Sequence, residues 1–67
     1  MNSLLRADLL NRCHAGRSYL GEIKADLDAA RQLKLAVEVA QAMNGLTECI
    51  AEINRQEEAA MDALQGI

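Results

Sequence analysis

The chain has 67 residues, a net charge of −3, a single aromatic residue in Tyr19, no Pro, and an apolar half made of Ala, Leu, Ile, Val and Met. One domain, residues 1–67, is all that this length allows, and so small a core needs a staple or a partner chain. Two cysteines and one histidine fall short of a disulfide framework or a four-ligand zinc site.

The charge is unevenly placed. Residues 1–34 carry a net +2 and residues 35–67 a net −5. A basic front and an acidic back suit antiparallel self-pairing or a protein partner of matching polarity. Nucleic-acid binding asks for a basic face with stacking aromatics, so it is not expected. No apolar run reaches the ~18–20 residues of a membrane helix. Met1–Asp8 does not read as a signal peptide, because Arg6 and Asp8 break any apolar stretch. With so few cysteines, a reducing cytoplasm is the expected location.

Taken in chain order, the first helix can start at Asn2 or Ser3, both good N-caps. Apolar or small residues then recur at Leu5, Leu9, Cys13, Gly16, Leu20, Ile23, Leu27 and Ala30. From Leu9 on this is a near seven-residue repeat, the seam of a coiled coil or helix bundle. It passes through Gly16 in phase, which favours one long helix weakened or kinked at 14–18; a full break there would instead give a three-helix bundle. The stretch Leu33–Val39 alternates like a strand. Its helix-forming flanks and the lack of a turn residue favour helix, apolar on nearly every face.

Asn44-Gly45 is the clearest punctuation, since Gly or Asn just past a helix end can adopt the left-handed conformation that closes it. A second helix then follows, with a stripe at Leu46, Ile50, Ile53, Glu57, Ala60, Leu64 and Ile67, ending near Gly66. Glu57 interrupts that stripe and invites an Arg from the first helix or from a second chain; Arg6, Arg12 and Arg17 are candidates. The expected fold is therefore all-α: an antiparallel helical hairpin with a long helix over 3–43, a turn at 44–45, a second helix over 46–65, and dimerisation into a helical bundle. A rival hairpin turning near Arg31-Gln32 gives equal helices and sets Cys13 opposite Cys49, but no turn chemistry supports it.

No motif carries catalysis. Cys13 and His14 are adjacent on a helix and point about 100° apart, so they cannot share a metal or a proton. Nothing here resembles a phosphate-binding glycine loop, and a core without bulky side chains argues against a small-molecule pocket. No cofactor, metal or substrate is expected, and no enzyme activity. The expected function is a non-enzymatic protein-interaction module of adaptor or co-chaperone type. The short second helix would leave an apolar stripe uncovered at Leu5, Leu9, Leu10, Cys13, Tyr19 and Leu20, facing another protein or a second copy. The alternative is a small inhibitor, of the kind phages encode, that occludes a partner with an acidic face at Glu57, Glu58 and Asp62.

Overall fold

A computed structural model describes residues 1–65, and the side chains of residues 1–63. Two α-helices, α1 (Ser3–Ala29) and α2 (Leu33–Gln65), pack against each other as a hairpin. The all-α hairpin expected from the sequence is present, and its turn is the rival one. The helix over 3–43, the turn at 44–45 and the second helix over 46–65 are corrected: α1 ends at Ala29, and α2 runs unbroken through Asn44-Gly45. Nor does α1 break at 14–18. The stop expected near Gly66, and Ile67 with it, lies outside the described residues.

Asn2 starts α1. Its backbone is extended, and its side-chain oxygen accepts a hydrogen bond from the Leu5 N–H at 2.8 Å, satisfying one of the four unpaired donors of a helix start. At the other end the chain closes without glycine. Arg31 has φ of 60°. The Gln32 N–H reaches the Leu27 carbonyl at 2.8 Å, and the Arg31 N–H reaches Asp28 at 3.0 Å. These two bonds are the Schellman closure, here built on an arginine. The Gln32 carbonyl then accepts from Ala36 N–H at 2.9 Å, so α2 begins at once.

Magnitudes explain why this turn wins. Left-handed backbone costs a non-glycine residue about 1–2 kcal/mol. Glycine inside a helix costs about 1 kcal/mol relative to alanine. Against this, a turn at 44–45 leaves Leu9, Leu10, Cys13 and Leu20 without a neighbour, and each fully buried apolar side chain is worth about 1.5–3 kcal/mol. Even at half burial, covering that row outweighs both backbone penalties. The chain therefore turns near its middle and makes two helices of 27 and 33 residues.

The seam consists of two facing pairs of rows. Arg6 and Glu57 form an ion pair at 3.3 Å, which sets Arg6, Cys13, Leu20 and Leu27 against Glu57, Ile50, Met43 and Ala36. A Cβ built on Gly16 would stand 3.4 Å from Leu46 Cδ1, which sets Leu9, Gly16 and Ile23 against Ile53, Leu46 and Val39. All these residues are half-buried except Ala36, which is 3% exposed and is the one buried apolar residue among those described. Each helix thus offers positions three and four apart, as in knobs-into-holes packing.

Candidate functional site

The hairpin is a rod of 56 × 18 × 12 Å with a radius of gyration of 15.9 Å. A compact chain of this length would have a radius of about 11 Å. Its accessible surface is 5175 Å², whereas a folded monomer of 7.3 kDa would expose on the order of 4,200 Å². Two helices in contact along one seam cannot enclose a core, because the seam residues other than Ala36 keep solvent on their outer side.

The two sides of the seam differ. On the side of the Arg6–Leu27 row, the Arg6–Glu57 pair puts charge at the lip, and Arg17 and Lys24 flank it. That side also holds a shallow groove of about 310 Å³ lined by His14, Arg17, Ser18, Gly21 and Met43. It exists because Gly21 has no side chain; a Cβ there would lie 3.7 Å from Met43 Cε. On the other side the lip is wholly apolar: Leu9, Gly16 and Ile23 with Val39, Leu46 and Ile53. The seven-residue spacing places Leu5, Arg12, Tyr19 and Asp26 beside the α1 row, and Leu35, Ala42, Cys49 and Gln56 beside the α2 row. Of these, Leu5 is 47%, Tyr19 65% and Leu35 51% exposed.

This placement divides the six residues that the sequence marks for a partner. Leu9, Leu10, Cys13 and Leu20 are half-buried, because α2 extends far enough to cover them. Leu5 and Tyr19 remain exposed. Leu35 joins them on the same side, and the sequence reading missed it. The signal that finds it is the seven-residue spacing Leu35, Ala42, Cys49, which a turn at 44–45 had cut in two. Cys13 and Cys49 sit at similar heights but flank opposite sides of the seam, one half-buried and one exposed, and both are free.

The acidic face is partly occupied within the chain. Glu57 is half-buried against Arg6, one of the three arginines expected for it. Glu58 and Asp62 are exposed. Glu52 accepts hydrogen bonds from Arg55 Nη2 at 2.6 Å and Nε at 3.0 Å. These bonds, with a further one from Gln56, hold its carboxyl below the usual value of 4.5. The sign follows: any stability this exposed pair adds is present above about pH 4.5 and fades on acidification through the lowered value.

His14 is exposed and Cys13 half-buried on neighbouring stripes of α1. No group of three or more His, Cys, Asp or Glu side chains that could hold a metal occurs among the described residues. Among the described residues no helix is long and apolar enough to cross a membrane. The fold and surface together define a two-helix antiparallel hairpin with one wholly apolar lip. Comparison with family models, with curated proteins and with solved structures finds no match.

Proposed function

We propose that the chain is a non-enzymatic protein-interaction module that works through the apolar side of its seam. The observation that carries this reading is the mismatch between the one buried residue among those described, Ala36, and an uncharged lip flanked by exposed Leu5, Tyr19 and Leu35. Exposed apolar residues also occur elsewhere, at Leu4, Leu33, Val37 and Met61, but this side alone combines them with an uncharged lip, and exposed apolar patches mark sites of association. Tyr is one of the residue types enriched at the energetic centre of such contacts, which singles out Tyr19. Adaptors and co-chaperones use surfaces of this kind. The acidic-face inhibitor has less support, because Glu57 is engaged by Arg6.

The test is affinity capture with the tagged wild-type chain beside its Leu5→Glu/Tyr19→Glu variant. Both positions are exposed in the hairpin, so the variant removes no contact within the chain, and circular dichroism at the capture concentration records its helix content. The module should hold a stoichiometric protein, whether another chain or an untagged copy of itself, and the variant should lose it. Equal recovery of the same protein by both would contradict the reading.

A further inference from the structure

We infer that the apolar side is covered by a second copy of this chain, packed face to face about a two-fold axis that passes by Tyr19. The inference rests on the interaction reading above and names its partner. Three observations lead to it. The rod exposes about 1,000 Å² more than a compact monomer of its mass, enough surface to supply the ~800 Å² per partner of a standard stable interface. The lip itself, Leu9, Gly16, Ile23, Val39, Leu46 and Ile53, carries no charge that burial would strand. The third observation is symmetry. A two-fold contact uses the same patch on both copies, so the patch must be complementary to itself.

The only two charges in the stripes flanking this lip are Arg12 and Asp26, seven residues before and seven after Tyr19. Reversing the direction of α1 about Tyr19 brings Arg12 beside Asp26 of the partner subunit, and Asp26 beside the partner's Arg12. Both pairs then form at the rim, with Tyr19 packed on its own copy between them. Arg12 already contacts Asp8 at 3.0 Å, but this pair is open to water, with 74% and 50% of the two side chains exposed. Exposed pairs of that kind are worth little, so Arg12 is available for a second carboxylate. In this arrangement α1 lies antiparallel to α1 of the partner, the two hairpin turns sit at opposite ends, and four helices enclose the core that two cannot.

Sedimentation equilibrium, with helix content followed by circular dichroism, tests this. The wild-type chain should have twice the 7.3 kDa mass of one chain, and Tyr19→Glu should return it to the single mass. A Tyr19→Cys variant, with Cys13 and Cys49 changed to Ser, should form an inter-chain disulfide on mild oxidation, which locates the axis even if Tyr19→Glu unfolds. A dimer that survives Tyr19→Glu, or a Tyr19→Cys dimer that does not cross-link, would overturn this face. A wild-type monomer would overturn the second copy. If that monomer still captures another protein and Leu5→Glu/Tyr19→Glu abolishes the capture, the interaction reading stands without the dimer. If the variant captures equally, both fail.

Discussion

Single residues report where this chain turns, because their substitution has opposite signs under the two hairpins. Arg31 occupies left-handed backbone with φ of 60°, so Arg31→Gly removes a penalty of about 1–2 kcal/mol and adds back the unfolded-state freedom of glycine. The net expectation is a gain of about 0.5–1 kcal/mol in denaturant unfolding. With a turn at 44–45 the same change would put glycine inside a helix and cost about 1 kcal/mol. Gly45 gives the mirror case. It lies inside α2, and nothing stands within 4 Å of where its Cβ would be, so Gly45→Ala should gain about 1 kcal/mol. Gly16 is the opposite. Its absent side chain lets Leu46 approach, and Gly16→Leu should cost about 1–3 kcal/mol by forcing the helices apart.

At the scale of the helices, much of the seam was legible and the turn was not. Leu9, Cys13, Gly16, Leu20, Ile23 and Leu27 were readable in order from their spacing, and all are half-buried. The phase argument that carried α1 through Gly16 applies equally to Gly45. Met43 and Leu46 are three apart, Ile50 follows after four, and the stripe from Ala36 to Glu57 never slips. Asn44-Gly45 has the local chemistry of a turn, which is a strong signal, but here the continuous stripe overrides it. The true turn left no such mark. It relies on an arginine in a conformation that arginine rarely adopts. Leu5 and Tyr19 are exposed, not because the second helix is too short to reach them but because they sit one stripe away from the α1 seam. Leu35 was not legible, because its role depends on knowing which helix faces which.

The same scale yields a stability prediction. Leu20 faces the Met43 level of α2 and is only half-buried. Leu20→Ala should therefore cost about 1–2.5 kcal/mol, below the 2–5 of a sealed core. The Arg6–Glu57 pair sits within the seam rows, where a polar pair fixes register more than it stabilises. Replacing both by Leu should raise the unfolding midpoint slightly and broaden the distribution of registers, seen as extra cross-peaks in amide NMR spectra.

For the whole molecule the governing quantity is surface. A rod 56 Å long with one buried side chain among the described residues has little of the enclosed apolar area that offsets chain entropy. Its stability should therefore depend on association. The most direct measurement is the midpoint of thermal unfolding over a hundredfold range of protein concentration. A chain completed by a second copy gains about 2.7 kcal/mol over that range by mass action, a rise of about 10 °C for two chains of this size melting together. A midpoint that stays constant to within a degree would mean that the hairpin stands alone, and would contradict the dimer.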